Sequence, residues 1–318
     1  MATIMERDVL IEAASYTAAV IARFPIQTDE TKRLAKQGWK MRNDYLYSEA
    51  KEWDFYKEVE IPKEMRAPMK HRENITYFSV EELDKISRKI LETRGYNEIK
   101  SQINPKVTVL GGLAGSGKSN YMYTLENTYA IIGDEYRLEH PRFEEIKEQY
   151  GDDWVFKTNE FAGAMVKKIS EQVAKDKKNV VIEGTFRTYE APANTLKQFK
   201  EAGYETYAHI VLCHKDIAKA STVERYYKMK EAALPSRIVT NEKFEEMLNG
   251  LAKTADRIKE SGLVKGFTMS TRRDLDQFTI IYNADDTRKP SEIINKEISR
   301  QLSLKEQEFV ERINKQHK

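Results

Sequence analysis

The chain has 318 residues, 40% apolar and 33% charged, with 53 basic against 51 acidic side chains for a net charge of +2. That length allows one large domain or a main domain with a smaller attachment, and the composition excludes collagen-like, low-complexity and membrane-spanning classes. So even a balance gives no bulk attraction to nucleic acid or an acidic membrane; a polyanion would have to meet a local patch.

Residues 1–75 hold 13 basic and 13 acidic side chains and two of the three tryptophans, Trp39 and Trp53. Their apolar residues recur at helical spacing, which predicts a helical N-terminal extension. The only stretch that imitates a targeting signal, residues 9–22, has Glu6, Asp8 and Glu12 in or just before it and is too short to span a bilayer, so it reads as a buried helix. With no leader and one cysteine, Cys213, that lacks a disulfide partner or zinc-site company, the expected compartment is the cytoplasm. Pro62 and Pro68 interrupt regular structure, which places a linker at 61–68 and a boundary near 75, before a main domain over 76–318.

Ser79 followed three residues later by Glu82 has the capping-box form and starts a helix to about Thr93. Beyond it, short β-branched apolar runs at 106–110, 129–132, 179–182, 204–212 and 278–282 alternate with charged helical stretches such as 161–175 and 191–202. That alternation predicts a three-layer α/β sandwich, a five-stranded and mainly parallel sheet covered by helices on both faces. Residues 291–318 read as one or two polar helices.

The strongest motif is Gly112, Leu113, Ala114, Gly115, Ser116, Gly117, Lys118 and Ser119, a full GxxxxGK[ST] match. It follows a predicted strand and opens a helical stretch, the setting its chemistry demands. Glycines let successive backbone N–H groups curl toward phosphate oxygens. Lys118 can then reach the β and γ phosphates, and the Ser119 hydroxyl can ligate Mg²⁺. A nucleoside triphosphate with Mg²⁺ is therefore expected.

Two strand ends offer partners for the phosphoryl group. After 129–132 come Gly133, Asp134 and Glu135, at the carboxyl end of a buried strand where open α/β sheets bind ligands. Asp134 there can take a proton from an attacking hydroxyl or hold Mg²⁺ through water, and can equally cap a helix. After 179–182 come Glu183, Thr185 and Arg187, which in extended geometry would share one face and could grip a small polar acceptor. Arg225 and Arg237 lie between the fourth and fifth predicted strands, where P-loop kinases commonly carry a lid whose arginines neutralise the transferred phosphoryl. His140 before Pro141 reads as a turn residue, and Cys213-His214 as core and rim.

These landmarks resemble the zeta toxins of bacterial toxin–antitoxin systems, which are P-loop kinases. The resemblance runs over roughly 76–290 and rests on the P-loop, on Asp134 followed by His140-Pro141-Arg142-Phe143, on Glu183-Gly184-Thr185-Phe186-Arg187-Thr188, and on Glu224-Arg225-Tyr226 with Arg237 beyond. It implies a kinase using ATP or GTP whose acceptor is UDP-N-acetylglucosamine, phosphorylated on the sugar 3′-hydroxyl. By the same resemblance Asp134 is the general base, Lys118, Arg225 and Arg237 stabilise the phosphoryl group in flight, and Glu183, Thr185 and Arg187 hold the acceptor. Zeta toxins are neutralised by a three-helix antitoxin, epsilon, so the family implies an antitoxin in trans, or residues 1–75 acting as one in cis; a packing or oligomerisation arm is the alternative.

Two other functions fit the same motifs. One is a P-loop kinase of a different acceptor, a polynucleotide 5′-hydroxyl or a nucleotide cofactor. Nucleic acid is disfavoured because the nearest basic clusters, Lys175-Asp176-Lys177-Lys178 and Thr271-Arg272-Arg273-Asp274, are short and each contains an acid. The other is a nucleotide-gated binding module.

Overall fold

A computed structural model describes residues 75–317 except 233, 238 and 274–277. The helical extension expected over 1–75 lies, apart from Ile75, outside the described residues.

Helix α1 (Val80–Thr93) begins where the capping box places it: the Ser79 hydroxyl accepts from the Glu82 N–H and the Glu82 carboxylate accepts from the Ser79 N–H. There follow β1 (Lys106–Gly111), α2 (Lys118–Met122), β2 (Tyr129–Ile131), α3 (Gly133–Tyr136), α4 (Phe143–Tyr150), α5 (Trp154–Lys157), α6 (Asn159–Lys175) and β3 (Val180–Glu183). The chain continues through α7 (Glu190–Glu201), β4 (Glu205–Leu212), α8 (Lys215–Glu231), α9 (Asn241–Glu260), β5 (Gly266–Thr271), β6 (Thr279–Tyr282), α10 (Pro290–Ile298) and α11 (Leu304–Gln316).

The sheet has six strands in the order β2-β3-β1-β4-β5-β6, all parallel except β6. The expected count of five is corrected by β5. Its sequence, Gly-Phe-Thr-Met-Ser-Thr, has no β-branched apolar run, because half of its inward positions are hydroxyls. Phe267 and Met269 enter the apolar core, while Thr268 and Ser270 are matched from β4 by His209, whose Nδ1 and Nε2 lie 2.7 and 2.8 Å from their hydroxyls. Buried polar atoms satisfied across neighbouring strands let a polar-looking segment occupy a central strand.

The described chain divides into two compact units. The larger takes in Gly95–Ile132, Ile169–Lys228 and the chain from Arg237 onward, and contains the whole sheet. On one sheet face Val109, Ala208, Ile210, Phe267 and Met269 pack with Leu196 of α7, Ile217 of α8, Leu251 and Ile258 of α9 and Ile294 of α10. The other face places Leu110, Val181 and Val211 against Met122 of α2. Strands buried on both faces explain why the parallel ones other than β5 read as near-continuous apolar runs. A buried ionic network ties α10 and α11 to the end of β5: Glu297 accepts from the Thr271 hydroxyl, Arg273 and Arg300, and Arg300 also pairs with the fully buried Glu306.

The smaller unit gathers residues 75–94, Gly133–Lys168 and Met229–Ser236. Its core is Ile75, Phe143, Ile146, Trp154, Ala232 and Leu234. His140, expected as a turn residue, is buried: its Nε2 lies 3.2 Å from the Thr76 carbonyl, its Nδ1 accepts from the Arg142 N–H, and its ring meets Phe78 and Phe161 edge-on. Burial holds its pKa below the usual histidine value.

Candidate active site

In the larger unit, β1 delivers the glycine-rich loop and β3 delivers Glu183 to the same sheet end, since the parallel register sets Leu110 opposite Glu183. The Gly184 N–H continues the pairing to the Leu110 carbonyl at 2.8 Å. Leu113 is buried in the core and Ala114 packs against it, so these two anchor the loop while its backbone curls above them. Gly115 sits at φ +81°, and a Cβ there would stand 2.1 Å from the Ala218 carbonyl oxygen of α8; only glycine lets loop and helix approach so closely.

Lys118 is 6% exposed. Its Nζ donates to the carbonyls of Gly112 (3.0 Å) and Leu113 (2.9 Å) and lies 3.7 Å from Glu183 Oε1. The ammonium is thus held by its own loop's carbonyls beside the Glu183 carboxylate. Ser116 is fully buried, yet its Oγ has no hydrogen-bond partner. A buried unmatched hydroxyl is costly, and together with the Gly115 approach it fits a loop built to receive an oxyanion. Ser119 stands half-buried in the first turn of α2. Among the described residues there is no group of three or more His, Cys, Asp or Glu placed to hold a metal ion.

The extended geometry expected to align Glu183, Thr185 and Arg187 stops at Glu183. Phe186 adopts φ +53°, rare for a bulky residue, and its ring is buried against Gly111, where a Cβ would lie 2.6 Å from Cδ2. The core claims Phe186, and that turn sends Thr185 and Arg187 outward: both are exposed, and Arg187 pairs with Glu246 of α9 at 3.0 Å. Three residues expected on one strand face therefore occupy a strand end and a turn. Phe186 supplied no sequence signal beyond its place between polar neighbours.

Between β4 and β5, where a lid was expected, stand α8 and α9. Arg225 is half-buried on α8, and Arg237 is half-buried in the connection to α9. The adjacent Glu224 is buried and pairs with Lys228 (3.1 Å) and with Arg312 of α11 (3.2 Å), tying the Arg225 helix to the C-terminal helix.

In the smaller unit, α3 follows β2 directly in the chain and carries Asp134, whose Oδ1 accepts from Arg137 Nε at 3.0 Å while Arg137 also donates to the Val155 carbonyl. Its neighbour Glu135 is buried and ion-paired with Arg94, which bridges to Glu139 as well. One side chain of the larger unit that the sequence left in a basic cluster, Arg272, packs against the loop at Gly117.

Comparison with known proteins agrees with this architecture. The chain is 25% identical over 218 residues to Toxin PezT of Streptococcus pneumoniae, spanning 67% of this chain and 85% of that protein. It is 27% identical over 221 residues to Toxin zeta of Streptococcus pyogenes, spanning 67% and 76%. Among solved structures, one from the PezAT chromosomal toxin–antitoxin system of Streptococcus pneumoniae superposes with a TM-score of 0.67 at 23% identity over 77% of this chain and 98% of that one. The AvrRxo1-ORF1:-ORF2 complex superposes at 0.51 with 9% identity over 76% and 87%. Both structural likenesses speak to the fold alone. No helix among the described residues is long and apolar enough to cross a membrane. The profile of the family described as Zeta toxin matches residues 91–287, well over half of the sequence, and the chain belongs to that family.

Proposed function

We propose that the chain is an ATP- or GTP-dependent phosphotransferase that phosphorylates a hydroxyl of a nucleotide sugar, UDP-N-acetylglucosamine at its 3′-hydroxyl, and acts as a zeta-type toxin in the cytoplasm. The observation that supports this reading is the 3.7 Å approach of Glu183, the carboxylate proposed to hold the acceptor, to the lysine of the phosphate loop. A phosphate loop alone says nucleotide; a carboxylate from the neighbouring strand beside its lysine gives the donor phosphate an acceptor-facing wall.

In this reading the backbone of residues 112–117 and Lys118 bind the donor phosphates, and Ser119 would hold Mg²⁺, which would supply charge neutralisation for the phosphate chain. Asp134 takes the proton of the acceptor hydroxyl as the new oxygen–phosphorus bond forms and the bond to the departing nucleoside diphosphate breaks. Lys118, Arg225 and Arg237 stabilise the charge that develops on the phosphoryl group, and Glu183, Thr185 and Arg187 hold the acceptor. The macromolecular partner in this reading is an epsilon-like antitoxin, in trans or through residues 1–75 in cis; a solved structure similar to this chain comes from a toxin–antitoxin system.

Phosphorus NMR of the full chain with Mg-ATP and UDP-N-acetylglucosamine tests this. A new phosphomonoester that disappears in Lys118→Ala and Asp134→Asn supports the reading. Intact ATP in the presence of this acceptor, repeated on a chain starting at residue 76, would refute the assignment of the acceptor.

A further inference from the structure

A buried arginine that forms no ion pair among the described residues stands beside the phosphate loop. Arg272 directly follows β5, and its backbone N–H donates to the Leu212 carbonyl at 3.1 Å, fixing the root of the side chain at the sheet end from which the loop departs. The residue is 5% exposed. Its guanidinium lies along Gly117: a Cβ on that glycine would sit 3.4 Å from Nε, 3.5 Å from Cζ and 3.6 Å from Cδ. The buried Nε has no hydrogen-bond partner.

Among the described residues, the carboxylates at the end of β5 and beside the loop are already engaged. Glu297 serves Thr271, Arg273 and Arg300, and Glu306 serves Arg300. Glu183 faces Lys118. Cys213 senses the Arg272 charge, but burial pushes its thiol up to about 12, so it stays neutral and is no counter-ion. The adjacent Arg273 makes the contrast plain: more than half exposed, it nevertheless has a buried carboxylate at 2.8 Å. A guanidinium is always charged, and burying one without an anion is costly. A fold that leaves this cation unmatched, against the last glycine of a phosphate loop, returns that cost when an anion arrives.

From this geometry we infer that Arg272 is an additional ligand of the nucleotide's phosphate chain, acting with Lys118 and the loop backbone. The inference rests on the nucleotide reading above and adds a residue that neither the motif nor the strand-end pattern marks. Of the basic pair Arg272-Arg273, one member faces the phosphate loop and the other is bound to Glu297.

Calorimetric titration of wild type and Arg272→Met with ATP, ADP and adenosine, together with thermal unfolding of each protein without ligand, tests it. Methionine matches much of the arginine volume without its charge. The expected result is an unliganded midpoint at or above that of wild type, ADP and ATP affinity reduced about 10- to 100-fold, as for loss of a charged hydrogen bond, and unchanged adenosine binding. A variant that binds ADP as wild type does overturns this inference alone, as does an equal loss for adenosine, which would make Arg272 a base contact. A wild-type chain that binds no nucleotide overturns the nucleotide reading with it. Should Arg272→Met fail to fold, the Nε–H resonance of Arg272 in the wild-type chain, assigned with Arg272→Lys, must shift on adding inorganic triphosphate and stay still on adding adenosine; no shift with triphosphate refutes the role.

Discussion

Replacing Gly115 by alanine separates backbone strain from close packing in the phosphate loop when it is compared with Gly262→Ala. Both glycines have positive φ, +81° and +66°, so alanine at either incurs the left-handed cost of about 1–2 kcal/mol. At Gly262, just past the end of α9, nothing lies within 4 Å of the new methyl. At Gly115 the methyl would stand 2.1 Å from the Ala218 carbonyl oxygen and 3.1 Å from Thr222 Cγ2, both on α8. A backbone carbonyl cannot rotate away, so loop or helix must retreat by about 1.4 Å to reach ordinary contact, and such overpacking adds about 1–3 kcal/mol. Urea unfolding should therefore show a loss of about 2–5 kcal/mol for Gly115→Ala against about 1–2 kcal/mol for Gly262→Ala. Because the retreat moves the phosphate-facing N–H groups, turnover of Gly115→Ala should fall by about 10²-fold or more while Gly262→Ala keeps full activity. Equal stability losses with normal activity in both variants would refute the claim that the loop is seated on α8.

Other consequences follow from the same structure. His209 is buried between Thr268 and Ser270 with its pKa lowered by burial to about 3, so the unfolded chain takes up a proton near pH 6.5 that the folded chain refuses; stability falls as pH drops from about 6.5 toward 3, by up to about 1.4 kcal/mol per unit from this group. Urea unfolding of His209→Gln over that range should show a shallower acid slope than wild type, and identical slopes would disprove the assignment. Cys213, fully buried with its thiol raised to about 12, should resist a thiol reagent in the native protein and react only on unfolding; prompt stoichiometric labelling would contradict its place in the core. Glu246, whose carboxyl is held below its usual range by Lys243 and then Arg187, would in the proposed reading compete with the acceptor for Arg187. Glu246→Gln should lower the acceptor KM while leaving the thermal midpoint unchanged, as expected for an exposed pair; an unchanged KM would remove Arg187 from acceptor binding.

Much of this molecule is legible in its residues because local chemistry and tertiary structure agree. Ser79 and Glu82 cap a helix that forms where they place it, and the loop at 112–117 follows its strand because both of its flanks have matching periodicity. What escaped reading depended on partners distant in sequence. β5 hides because Thr268 and Ser270 are satisfied by His209, some sixty residues away, and a strand with hydroxyls on one buried face lacks an apolar signature. The turn at Phe186 escaped because extended geometry was projected past Glu183, whereas a pocket over Gly111 draws the ring inward and reverses the chain. Arg272 looked like half of a surface basic pair; only its fixed root at Leu212 and its contact with Gly117 distinguish it from Arg273. In each case side-chain identity was visible and the burial that gives it meaning was not.

The most direct test of the central claim is nucleoside diphosphate release by the full chain with Mg-ATP, measured with and without UDP-N-acetylglucosamine and repeated on Lys118→Ala. A phosphotransferase built around Lys118 and Glu183 predicts slow release with water alone, a large acceptor-dependent acceleration, and loss of both in the variant. Release at one slow rate whether or not the acceptor is present would contradict it.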